Sequence, residues 1–314
     1  MKRNIFNKWI IISLTMVWMG CNPPQKKPEK TVLYQEADYH FPYDLNNPEQ
    51  VWKPARKLRE ISGLSFLSPD KIISIQDEKA YLFLLDNQKG EIVKKIKFGK
   101  DGDYEGVELV NNDVWVVKSN GKLYQVKNYL DKYKRETIKH KTALSKRNDV
   151  EGLAFDASDS TLLVACKGYP FLETQKNAQF FKAVYKFDLK TQKLIEKPYL
   201  LLALDSLKKF KNYSKSDELG IELVSIIDEA EGDPTLQPSG IAIHPQTKNI
   251  YILSSVGKTL LVLSPEGDMK AMLKLDRKLH PQPEGICFAP DGTLYISNEG
   301  RKTSKARVLV YKKK

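Results

Sequence analysis

Three glutamates stand directly before a glycine in one local pattern: Glu105-Gly106-Val107, Glu151-Gly152-Leu153 and Glu284-Gly285-Ile286. Two serines hold the equivalent place in Ser62-Gly63-Leu64 and Ser239-Gly240-Ile241. A carboxylate that recurs at one position of a repeat is a candidate for ion binding or acid–base work, provided the fold brings the copies together. Two carboxylates ~5 Å apart at an effective dielectric of ~20 repel by roughly 3 kcal/mol. Three such pairs would cost roughly 10 kcal/mol, comparable with the net stability of a whole domain. Convergent glutamates therefore need a neutraliser: a bound cation, a shared proton, or nearby ammonium groups. An oxygen-only set drawn from Glu105, Glu151, Glu284, Ser62 and Ser239 suits Ca²⁺ better than Zn²⁺ or copper.

The elements that must position these residues are legible as a repeat. The glycines are spaced by 43, 46, 88 and 45 residues. A period near 45 built of short strands is the signature of propeller blades. Alternating or apolar runs follow Gly63 at 71–75, 80–86 and 92–98, and follow Gly240 at 250–254, 259–263 and 269–275. Turn sequences such as Ser264-Pro-Glu-Gly267 and Ala289-Pro-Asp-Gly292 separate them. The 88-residue gap decides the blade count. Residues 152–204 already supply four strands, and residues 205–237 read as a short helical insertion rather than four more. The expected fold is thus all-β, a five-bladed β-propeller over residues 32–314, with a six-bladed ring as the alternative. The last repeat is about one strand short, so a strand near 32–41, or just after it, should complete that sheet and close the ring.

In a propeller the first strand of each blade lines the axis, which places Ser62, Glu105, Glu151, Ser239 and Glu284 around one mouth. The second strand of each unit ends near the same face. Its terminal residues, Asp77, Lys118, Lys167, Ser255, Asn298 and Glu299, are the candidates for binding a ligand over the axis. Lys118 and Lys167 are also the rival neutralisers. A bound cation, lysine pairing and water-separated rim acids all remain open at this point.

The units Asp103-Tyr-Glu-Gly106, Asn148-Asp-Val-Glu-Gly152, Gln237-Pro-Ser-Gly240 and Gln282-Pro-Glu-Gly285, with Ile296-Ser-Asn-Glu299, resemble the SdiA-regulated domain family over roughly residues 55–312. The resemblance implies a five-bladed propeller, distantly related to NHL-repeat propellers, with calcium near Glu105, Glu151 and Glu284. It implies no settled activity. Two functions follow as expectations. The first is a calcium-binding module for a small-molecule or protein ligand. The alternative is a calcium-dependent hydrolase of the phytase, lactonase or esterase kind, with the ion polarising a carbonyl or phosphoryl oxygen.

The first thirty residues read as an address. Lys2 and Arg3 precede an apolar run from Trp9 to Met19, too short to span a bilayer as a helix. Gly20-Cys21 then resembles a bacterial lipobox, with residues 1–20 as signal peptide, Cys21 as the lipidated residue and 21–31 as a Pro- and Lys-rich tether. The expected location is the cell envelope, anchored in the outer membrane and facing the periplasm. Loss of Lys2, Arg3 and Lys8 would lower the net charge from +12 to +9. The basic excess is spread out, with no basic helix or aromatic stripe for nucleic acid. Three cysteines exclude a disulfide scaffold, and Cys166 and Cys287 fall inside strands as buried free thiols, with a disulfide between them as the alternative. His244 and His280 sit in turns at or near blade junctions; His280, just before Pro281-Gln-Pro-Glu284, is expected on the surface, with a place close to the axis as the alternative. Asp101-Gly-Asp-Tyr-Glu-Gly106 imitates an EF-hand start, but its twelfth position is Asn112 and its context is strand.

Overall fold

The computed structural model describes residues 32–204, 236–300 and 304–314. The expected signal peptide, the expected tether with Cys21, and residues 205–235 of the expected helical insertion lie outside the described residues.

The described chain is an ordered run of short strands. Two precede the first repeat, β1 (Val32–Gln35) and β2 (Gln50–Trp52). Blade one is β3 (Ile61–Ser68), β4 (Lys71–Gln76), β5 (Tyr81–Asp86) and β6 (Ile92–Lys97). Blade two is β7 (Tyr104–Val110), β8 (Asp113–Lys118), β9 (Leu123–Lys127) and β10 (Glu136–His140). Blade three is β11 (Val150–Asp156), β12 (Thr161–Cys166), β13 (Phe181–Asp188) and β14 (Lys193–Ala203). Blade four contains β15 (Pro238–Ile243), β16 (Ile250–Ser254), β17 (Thr259–Leu263) and β18 (Met269–Lys274). Blade five contains β19 (Pro283–Phe288), β20 (Leu294–Asn298) and β21 (Arg307–Tyr311). Each sheet is antiparallel, with the strands named for each blade in chain order from the axis outward, which makes a five-bladed β-propeller.

The apolar pattern of the second strands follows from stacking. Each blade is covered on both faces, so both parities of a central strand must be apolar. In β8, Val114 and Val116 pack toward blade one, whereas Trp115 and Val117 pack toward blade three. In β16, Ile250 and Ile252 face blade three, whereas Tyr251 and Leu253 face blade five. The core is thus divided into five wedges, one per blade junction. The outer strand β6 has lost one of its neighbours and carries Lys94, Lys95 and Lys97 exposed to solvent.

The five motif glycines sit where the inner strands crowd one another. A Cβ on Gly106 would lie 2.9 Å from the backbone nitrogen of Leu153 in the next blade. One on Gly240 would lie 2.4 Å from the carbonyl oxygen of Glu284. Gly63, Gly152 and Gly285 meet the backbone nitrogens of Val107, Ile241 and Leu64 in the same way, at 3.0, 3.1 and 3.0 Å. The contacts run blade to blade and return to the first, so the ring closes on bare backbone.

Ring closure uses the N-terminal segment at two places. β2 pairs with β21 and completes blade five, through Gln50↔Val310 and Trp52↔Val308. The residues expected for that role divide differently: Val32–Gln35 pairs with β18 and adds a fifth strand to blade four. Between them Tyr43 donates to Gly292 O at 2.6 Å and meets His244 Nε2 at 3.1 Å. The segment therefore straps the junction of the last two blades. This corrects the expectation of a surface His280. His244 and His280 are 1% and 0% exposed. His280 Nε2 pairs with Tyr311 Oη at 2.7 Å, and Tyr311 donates on to Leu45 O at 3.2 Å. Cys166 and Cys287 are buried free thiols, as expected.

Candidate functional site

The start of every inner strand lies at one mouth of the axis, here called the upper mouth. Glu105, Glu151 and Glu284 line the same channel, together with Ser62 and the motif glycines. The channel encloses about 10 Å³, room for about one water molecule. Its neck is backbone, so side-chain chemistry is confined to the rim.

The three carboxyls feel one another. Burial raises Glu105 far above the ordinary carboxyl range, with Glu151, Asp103 and Glu284 adding to the rise. Burial raises Glu284 to about 8, with Glu151 adding and Lys167 opposing. Glu151, 7% exposed, is also raised, but its Oε1 lies 2.8 Å from Lys167 Nζ, which restrains the shift. Burial acts to lower the Lys167 ammonium, but Glu151, Asp149 and Glu284 outweigh it and raise the group above its usual range. One ammonium thus serves a cluster with at least three claims on it.

The remaining candidates divide. Ser62 Oγ donates to Tyr104 O at 2.7 Å and Ser239 Oγ donates to Pro283 O at 2.8 Å. Both hydroxyl protons are committed to tying neighbouring blades, which leaves their lone pairs as donors to an ion. Asp77 stands at the rim with its carboxyl raised to about 6 by burial and by Glu60, Glu299 and Glu78. Glu299 accepts from Gln282 Nε2. Lys118 does not reach the glutamates: its ammonium lies 4.8 Å over the Tyr104 ring, packed against Gly102. Burial holds it below the usual lysine range, with Asp103 opposing. Ser255 is buried, and its carbonyl accepts from Lys258. Asn298, fully buried, donates from Nδ2 to His280 Nδ1 at 3.3 Å and belongs to the strap that anchors the last blade.

A second tier of polar residues, three of them acids, lies beyond the sequence reading. Two residues before each motif serine or glutamate stand Glu60, Asp103, Asp149, Gln237 and Gln282. Asp103 raises Glu105 by charge and hydrogen bonding, and Ser119 Oγ donates to its Oδ2. Asp149, at φ 48°, raises Glu151 and supports Lys167. The constant offset within Asp103-Tyr-Glu105 and Asp149-Val-Glu151 was the available signal. Among the described residues, no three His, Cys, Asp or Glu side chains are grouped closely enough to hold a metal ion as they stand.

The model of the SdiA-regulated family matches residues 48–301, and the chain belongs to that family. A sequence search of curated proteins found no match. Among solved structures, the chain is similar to the PQQ-bound aldose sugar dehydrogenase of Streptomyces coelicolor, at 11% identity and TM-score 0.50 over 85% of this chain and 98% of that one. It is also similar to a streptogramin B lyase, at 10% identity and TM-score 0.46 over 84% of this chain and 97% of that one. A Bacteroides thetaiotaomicron protein of unknown function matches at 12% identity and TM-score 0.48, over 81% of this chain and 57% of that one. At such identities these likenesses concern the fold alone.

The raised carboxyls set the sign of a pH dependence. Glu105 and Glu284 have folded values above the ordinary 4.5, so the folded state keeps protons that the unfolded chain has released. Their favourable contribution is complete below about pH 4.5 and is lost as pH rises through about 8. Thermal melts in chelator should therefore show a falling midpoint from about pH 5 to about pH 9, and Glu105→Gln/Glu284→Gln should flatten that slope. An unchanged slope in the double variant would contradict the assignment.

Proposed function

We propose that this protein is a lipid-anchored cell-envelope propeller whose upper mouth binds calcium and presents a binding face for a small molecule or another protein. The observation that carries the reading is the convergence of Glu105, Glu151 and Glu284 on one channel, with Lys167 paired to one of them. The donor set fits the ion: every group is oxygen, and burial without a sufficient countercharge leaves Glu105 and Glu284 holding protons that a divalent cation would displace. Glu105, Glu151 and Glu284 would hold the ion, with Asp103 beside them, once the carboxyls draw inward from their present spacing and Lys167 yields its place on Glu151. With a neck that admits about one water, the upper mouth offers no enclosed pocket to hold a substrate against the ion, which favours a structural ion over a catalytic one. The binding-module reading is therefore preferred to the hydrolase.

Melting the detergent-solubilised full chain with calcium and with chelator tests the ion. Calcium at about one hundred times its dissociation constant should stabilise the fold by about 2.7 kcal/mol. Glu105→Gln should melt at or above the wild type in chelator, because it removes a carboxyl that must take up a proton to be buried, and should gain little from calcium. A wild type indifferent to calcium, or a variant that responds equally, would defeat the proposal. The anchor has its own test: Cys21→Ala should move the protein from the membrane to the soluble fraction, and retention at the membrane would contradict lipidation at that residue.

A further inference from the structure

The opposite end of the axis carries different chemistry. Inner strands from all five blades, with the first hairpins of blades three, four and five, surround a lower-mouth cavity of about 360 Å³, within the range of small-ligand sites. Its walls are largely apolar: Phe66, Phe155 and Phe288 supply aromatic rings, and Ala242 and Cys287 keep the floor open. Glu108 also lines it. In the repeat, Glu108 occupies the place held by Ser65, Ala154, Ala242 and Cys287 in the other blades. It is thus a single carboxyl set among small side chains.

Its neighbours leave that carboxyl electrostatically unanswered. Ser65 Oγ lies 3.3 Å from Glu108 Oε1, and the same Oγ accepts from Leu109 N at 3.0 Å. Among the described residues no cation lies within ion-pairing distance of Glu108. The other charged groups of the cavity are occupied. Asp156 is paired with Lys186 at 3.0 Å, and Lys248 Nζ donates to Pro245 O at 2.8 Å. Burial pushes the Glu108 carboxyl up to about 8, with the Ser65 hydroxyl alone opposing the shift. A carboxyl in an apolar cavity walled by aromatic rings is complementary to an ammonium carried on an apolar body, which gains from both the charge pair and the ring faces.

We infer that the lower-mouth cavity is a second binding site, for a small amphiphilic amine whose ammonium pairs with Glu108 and whose apolar body packs against Phe66, Phe155 and Phe288. This site is separate from the acidic upper mouth and does not depend on calcium there.

Titration calorimetry of the full-length protein in detergent tests the inference, with 2-phenylethylamine as probe and 2-phenylethanol as its uncharged counterpart. The amine should bind saturably, and the alcohol should bind about tenfold or more weakly. Glu108→Gln, close in shape to the native residue, should reduce the amine's affinity to near that of the alcohol. The comparison of the two probes on the wild-type protein stands even if the variant fails to fold. Equal affinity for the two probes, no saturable amine binding at millimolar concentrations, or unaltered amine binding in Glu108→Gln would overturn the inference. Loss of amine binding in Glu105→Gln with retention in Glu108→Gln would place the amine at the upper mouth and overturn it equally.

Discussion

The close approach of five inner strands around the axis is the constraint on which the other features depend. Each strand presents a glycine where the next strand's backbone passes, and at Gly106 and Gly240 even a methyl group would overlap backbone atoms. Bare backbone at the neck lets the blades converge enough for each apolar wedge to be covered on both sides. It also fixes where the preceding residue of each motif must stand. Glu105, Glu151 and Glu284 are far apart in the chain, yet ring closure carries all three to one rim.

That placement has an electrostatic consequence that packing alone cannot relieve. Lys167 pairs with Glu151 and moderates Glu284, whereas Lys118 is drawn away over Tyr104. Asp103 and Asp149 add negative charge behind the rim. The upper mouth is consequently short of positive charge, and its carboxyls respond by holding protons. The lower mouth follows the opposite rule. There the repeat supplies small and aromatic residues, and the carboxyl of Glu108, unlike the Lys186-paired Asp156, stands without a countercharge. One axis therefore presents a polyanionic face and an apolar face.

Much of this was legible in the sequence because the determinants are local and repeated. The glycine period fixed the inner strands, and counting strands within residues 152–204 favoured five blades over six. The second strands end beside the starts of the inner strands, Lys118 opposite Tyr104 and Cys166 opposite Val150, which puts Lys167 within reach of Glu151. What escaped depends on contacts between distant segments. His280 reads as a turn residue next to prolines, but the blade-five strap buries it against Tyr311 and Asn298. The use of Val32–Gln35 on blade four rather than blade five depends on which sheet edge lies nearest, a property no single segment carries. Asp103 and Asp149 were visible as motif residues, but their effect on the neighbouring glutamates required the geometry of the rim. Glu108 escaped because one acid among Ser65, Ala154, Ala242 and Cys287 looks like a variable strand position until the cavity beneath it is seen.

The most direct measurement is a carboxyl carbon-13 NMR titration of the full chain with labelled glutamate, assigned by single Glu→Gln variants. With chelator present, Glu105 and Glu284 should titrate well above the ordinary 4.5, and Glu284→Gln should lower the Glu105 midpoint because the two share one rim. Ordinary midpoints for both residues, each indifferent to removal of the other, would show that the strands do not bring these carboxyls together and would contradict the account.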